Sequence, residues 1–172
     1  MRRIFVAAFL TIASVISFFS WATARIVNSY NFDINCVQYI KRAADASSVD
    51  VAKRELGKAI EYCEENGLTE GIVSIFLKQP KNDVGFWYEN MKTAYAELEA
   101  LPEDSTPLEK TNVLMKIRES LTENGENSSY VDIPEGIEIH PNNALYFWWV
   151  ILSAIGFLVF GIWWLIEWEF GY

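Results

Sequence analysis

Two stretches without a single charged side chain, residues 4–24 and 144–166, limit the folds open to this chain more than any other feature. They are 21 and 23 residues long, and about 20 apolar residues rising about 1.5 Å each cross a hydrocarbon core of about 30 Å. Both are long enough to be membrane spans. The second is framed by Tyr146, Trp148 and Trp149 at one end and by Trp163, Trp164 and Trp168 at the other, the paired aromatic belts that two membrane interfaces select.

The first block has two readings. Arg2, Arg3, the apolar stretch and the small-residue run Ala22, Thr23, Ala24 imitate a cleavable signal peptide, but a core of 21 residues exceeds the usual signal core of about 7 to 15. An uncleaved signal anchor is the reading adopted. Arg2 and Arg3 precede this span and only Arg25 follows it closely, so the positive-inside bias predicts a cytoplasmic N-terminus. The second span then returns the short tail 167–172 to the cytoplasm. The chain divides into a span at 1–25, a helical region at 26–125, an extended linker or hairpin at 126–143, a span at 144–166 and the tail. Both spans carry small residues: Ala7, Thr11, Ala13 and Ser17 in the first, Ser153, Gly156 and Gly161 in the second. These are either ordinary membrane-helix composition or surfaces for close pairing of the two spans or of two protomers.

With 172 residues, the chain has room for one modest domain beside its spans. The net charge is −9, and the middle of the chain carries all of it. That sign repels polyanions, which excludes nucleic acid as a partner.

The middle reads as four amphipathic helices. Ile26, Tyr30, Ile34, Val37, Ile40 and Ala44 recur at helical steps and continue the first span. Ser47 and Asp50 form a capping box before the stripe Val49, Ala52, Leu56, Ile60, Cys63, which Asn66 and Gly67 terminate. Asp83 caps a third helix with Val84, Trp87, Met91, Ala94, Leu98 and Leu101 on one face. Thr106, Pro107 and Glu109 start a fourth, lined by Leu108, Leu114, Ile117 and Leu121 and stopped by Asn124 and Gly125. The fold class predicted is all-α, two transmembrane helices bracketing an extracytoplasmic antiparallel four-helix bundle. The apolar run 72–77 is expected to pack across that bundle as a short helix or strand. Residues 128–141 alternate Val131, Ile133 and Ile137, Ile139 around Pro134, Glu135 and Gly136, which predicts a small hairpin or extended arm.

Little of the chemistry is specific. Cys36 and Cys63 fall on the first two helices, almost equidistant from the turn between them. An antiparallel hairpin brings them together, and a disulfide is expected in an oxidising compartment, with two buried thiols as the alternative. His140 reads as a linker residue, since pH sensing or metal binding needs partners the sequence does not supply. Glu61, Glu64 and Glu65 look like a solvated face, and Asn127, Ser128, Ser129 matches a glycosylation sequon. No nucleophile elbow, phosphate loop or metal spacing occurs, so neither an enzyme nor a cofactor is predicted. The sharpest feature is the triplet Phe86, Trp87, Tyr88. Consecutive helical residues lie about 100° apart, so the three cannot all face one core. Trp87 is in register with Val84 and Met91. Phe86 and Tyr88 are therefore the candidate partner-binding residues, against burial under the 68–82 connection or contact with the membrane interface.

The pairs and runs Asn35 Cys36, Glu65 Asn66 Gly67 Leu68 Thr69, Asp83 Val84 Gly85 Phe86 Trp87 Tyr88, and Asn112 Val113 Leu114 Met115 carry a resemblance. Over most of residues 30–125 the chain resembles a family of uncharacterised bacterial and phage-associated two-pass membrane proteins with a helical ectodomain. The resemblance implies a bacterial inner membrane and a periplasmic central domain, and implies no activity. The architecture is also similar to the periplasmic four-helix sensor domains of chemoreceptors, from which it departs in having no cytoplasmic signalling module and in breaking the fourth helix from the second span. The expected function is binding or organising another membrane or periplasmic protein, or self-association, beside contact with the lipid bilayer. The alternative is a ligand-sensing ectodomain that relays through a partner.

Overall fold

The computed structural model describes residues 2–124 and 129–170. It is mostly helical, with α1 at Arg2–Phe32, a π-helical turn at Asp33–Val37, α2 at Gln38–Ala44, α3 at Val49–Glu65, α4 at Val84–Ala100, α5 at Pro107–Leu121 and α6 at Asn143–Phe170. Two short strands, β1 at Thr122–Asn124 and β2 at Ser129–Val131, pair antiparallel. The chain divides into two compact units, residues 1–28 with 142–172 and residues 29–141. The sequon at Asn127 and the stop signal at Gly125 fall outside the described residues.

The first unit joins the start of α1 to α6. The helical runs containing these segments are long and apolar enough to cross a membrane. Its large side chains face outward, Phe5, Phe9, Ile12 and Ile16 on α1 and Leu152, Ile155, Leu158 and Ile162 on α6, while the buried positions are Ala7, Thr11, Asn143 and Ser153. Small residues let the helices approach closely: a Cβ built on Gly156 would come within 2.7 Å of the Ser14 hydroxyl, and one on Gly161 within 4.0 Å of Thr11. The Ser17 and Ser153 hydroxyls share a 2.8 Å hydrogen bond, and Trp149 Nε1 donates to Ser17 at 3.0 Å. Asn28 Nδ2 donates to the Tyr146 hydroxyl at 2.8 Å. The small residues flagged in the sequence thus pair the two helices within this chain.

In the second unit α3 packs on α2 and α4, and α5 packs on α2 and α4. Their local starts follow the sequence closely. Asp83 accepts from the Phe86 amide at 3.0 Å, and Thr106 with Glu109 makes a complete capping box behind Pro107. For α3 the cap is one residue later than the spacing suggested: Ser48, not Ser47, accepts from the Val51 amide. Gly67, at φ +67°, supplies the left-handed residue after α3. The core is formed by Cys36, Ile40, Leu56, Ala59, Cys63, Val84, Met91, Ile117 and Ile137, all within the most buried group.

Three expectations are corrected. The stripe expected from Ile26 to Ala44 is the packing face only at its end: Ile40 and Ala44 are buried, but Ile26 and Tyr30 are exposed and the buried line upstream runs through Phe32 and Cys36; the π-helical turn alters the 3.6-residue phase on which the expectation rested. Leu108 is 69% exposed, since the first turn of α5 lies outside the packed part of the helix. The expected hairpin centred on Pro134 to Gly136 is displaced toward the N-terminus. Thr122 pairs with Val131, the Asp132 amide returns to the Leu121 carbonyl at 3.2 Å, and Ile137–Ile139 is a 3₁₀ turn whose apolar side chains are buried.

Candidate interaction surface

Residues 71–83 form an arm that leaves the core and comes back to start α4. Its base is pinned by backbone pairing: Ile72 bridges Asp83, the Val73 amide donates to the Asn82 carbonyl at 3.0 Å, and the Val84 amide to the Gly71 carbonyl at 2.9 Å. Pro80 opens a 3₁₀ turn that closes it. Gly71 is required twice over, by φ +101° and by the His140 ring, which a Cβ would meet at 2.9 Å. His140 Nε2 is 3.0 Å from the Glu70 carbonyl, so the residue expected to be a plain linker braces the arm.

The apolar run was expected to pack across the helices. Within it only Val73 is buried, beside Leu68 at the start of the connection. Ile75, Phe76 and Leu77 are 38%, 68% and 72% exposed at the tip, because the bridged base spends its length on pairing and turns the following residues outward.

The aromatic triplet divides as its angular spacing requires. Trp87 is buried, in ring contact with Phe32 at 6.4 Å between centroids, and its Nε1 donates to the Asp132 carbonyl at 2.9 Å. Phe86 is 65% exposed. Tyr88, the other candidate for partner binding, is buried instead, with its hydroxyl donating to Glu64 at 2.5 Å while Lys92 reaches the same carboxylate at 3.4 Å. Burial, then the Glu64 hydrogen bond, push the Tyr88 phenol up to about 12, and the same hydrogen bond with Lys92 holds Glu64 below its ordinary value. On this helix turn the exposed apolar side chain is Phe86 alone.

Cys36 and Cys63 are brought together as their places on α2's approach and α3 predicted, both fully buried, but as free thiols with sulfurs 3.7 Å apart. That is contact distance, far beyond the about 2.05 Å of a disulfide, so the expected bond is not present. The Cys63 thiol beside it and burial both push the Cys36 thiol far up, which keeps it protonated and a poor nucleophile.

Glu55 was missed. It is fully buried, with Arg54 at 2.9 Å and Lys58 at 3.5 Å from one oxygen and Arg42 at 3.1 Å from the other. Burial pushes its carboxyl up, but the Arg54 hydrogen bond and the Arg42 and Lys58 charges outweigh it and hold the group below its ordinary value. The signal was present in the spacing, because Glu55 lies three and four residues from Ala52 and Ala59 on the buried stripe. No family model, curated protein or solved structure matches the chain.

Proposed function

We propose that this chain is a non-enzymatic two-pass protein of a bacterial inner membrane, both termini cytoplasmic, whose extracytoplasmic region is an antiparallel four-helix bundle that binds or organises another envelope protein. The pairwise packing of α2, α3, α4 and α5 supports the bundle, the two long apolar helices support the spans, and the motif resemblance over residues 30–125 supports the compartment. The non-enzymatic reading rests on the sequence, which offers no motif for covalent, phosphoryl or metal chemistry.

One observation carries the binding reading: Phe86 stands exposed on the first turn of a capped helix whose next two residues are buried. A large aromatic presented on a fixed backbone loses little conformational freedom on association and is the residue type that anchors interfaces. Affinity purification of the full chain from its own membrane tests this. Phe86→Ala is expected to lower recovery of the co-purifying protein at least tenfold, with a melting temperature close to that of the parent. Unchanged recovery removes Phe86 as an anchor. The sensing alternative is favoured by a cleft of about 710 Å³ where the start of α3, the end of α4 and the start of α5 meet, lined by Lys53, Glu99 and Lys110 among others. A small molecule that raises the melting temperature of the parent but not of a Lys53→Ala, Lys110→Ala variant would support it.

A further inference from the structure

The tip of the 71–83 arm presents Ile75, Phe76 and Leu77 in succession to solvent, followed by exposed Lys78 and Lys81. We propose that this tip is a membrane-interface anchor, its apolar side chains entering the headgroup and acyl boundary of an anionic bilayer while the two lysines meet lipid phosphates.

Three observations select a lipid surface. The first is the residue set: adjacent large apolar side chains with lysines directly behind them are suited to a boundary where the apolar atoms sink and the ammonium groups snorkel back to the phosphates. The second is charge. The second unit is strongly acidic, yet residues 71–82 contain no Asp or Glu, and neither Lys78 nor Lys81 has a salt-bridge partner among the described residues. The arm is therefore locally attractive to anionic headgroups on a unit that otherwise repels them. The third is preorganisation. The Ile72 to Asp83 bridge, the Val84 to Gly71 hydrogen bond and the His140 ring against Gly71 hold the base, so little ordering remains to be done when the tip inserts. A chain with two membrane-spanning helices is never away from a bilayer, so even a weak tip contact acts at high effective concentration.

The inference rests on the two-pass reading and is independent of the protein partner assigned to Phe86. Photocrosslinking of the full chain in its own membrane tests it, with p-benzoylphenylalanine placed at Phe76, at Leu77 or at Phe86 in separate variants. Retention after alkaline carbonate extraction checks the two spans, and an adduct to protein at position 86 reports on the partner reading. At positions 76 and 77 the expected product is the chain plus one phospholipid by intact mass, trimmed by phospholipase treatment. Yield is expected to fall several-fold in a Lys78→Glu, Lys81→Glu background. Adducts at both positions to a protein or a second copy, or no lipid adduct at either position in chain that resists carbonate, would overturn the proposal.

Discussion

The two units solve opposite packing problems with the same twenty side chains. In the unit of residues 1–28 and 142–172, phenylalanine, isoleucine, leucine and tryptophan cover the outside, and Ala7, Thr11, Ser17 and Ser153 make the contact. In the unit of residues 29–141 the inside is Leu56, Met91 and Ile117, and the outside is mostly polar or charged. Water drives the second arrangement, because burying apolar area there is worth about 25 cal/mol per Å². In hydrocarbon that drive is absent, so close approach of small residues and a few hydroxyl hydrogen bonds are what remain to hold helices together. The inversion is the pattern expected of one unit surrounded by hydrocarbon and one surrounded by water. The arm tip at Ile75, Phe76 and Leu77 is the place where the second unit adopts the surface of the first.

The largest expected effect breaks the water-soluble side of this comparison. Trp87→Ala empties a core site and leaves the Asp132 carbonyl without its donor, so it is expected to cost roughly 3 to 5 kcal/mol. The transition of the second unit in detergent melts should fall accordingly, whereas Phe86→Ala should leave it within about 0.5 kcal/mol. Equal losses for the two variants would mean that Phe86 belongs to the core.

A smaller effect tests the membrane side. Gly156→Leu places a branched side chain where even a Cβ is 2.7 Å from the Ser14 hydroxyl, an overpacking of roughly 1 to 3 kcal/mol. The readout is oxidative crosslinking of a Ser17→Cys, Ser153→Cys pair, whose parent hydroxyls are 2.8 Å apart. Crosslinking is expected to be efficient in membranes and to drop several-fold with Gly156→Leu. The melt of the second unit should not move.

The smallest effect separates the units by pH. An unfolded tyrosine ionises near pH 10, while folded Tyr88 keeps its proton up to about 12. The folded state therefore binds more protons in that window: the stability linked to Tyr88 is fully present below pH 10 and is lost as pH rises through 12. The raised Cys36 thiol acts with the same sign from about pH 9, the ordinary value for a thiol. Denaturant melts of the second unit between pH 9 and 12 should show this decline, shallower in Tyr88→Phe. An identical alkaline slope in that variant would remove Tyr88 from the account.

Sequence alone determined what depends on local rules. The two long apolar helices follow from runs of uncharged residues, the caps at Asp83 and Thr106 from side-chain reach to nearby amides, and the division of Phe86 from Trp87 from a rotation of about 100° per residue. The proximity of Cys36 and Cys63 was equally legible, because a hairpin places residues equidistant from its turn side by side. Tertiary structure decided the rest. Whether that proximity is a bond is a matter of a fraction of the distance between two helices, which periodicity does not carry. The Phe32, Cys36, Ile40 face depends on a π-helical turn, and Tyr88 is buried with its hydroxyl donating to Glu64 on the neighbouring α3, a carboxylate that Lys92 of α4 also reaches. The apolar run 72–77 reads in one dimension as core. Only the pairing of Ile72 with Asp83 and the closure of His140 over Gly71 turn its second half away from the core, since hydrophobic burial is decided by which surfaces meet and not by which residues are apolar.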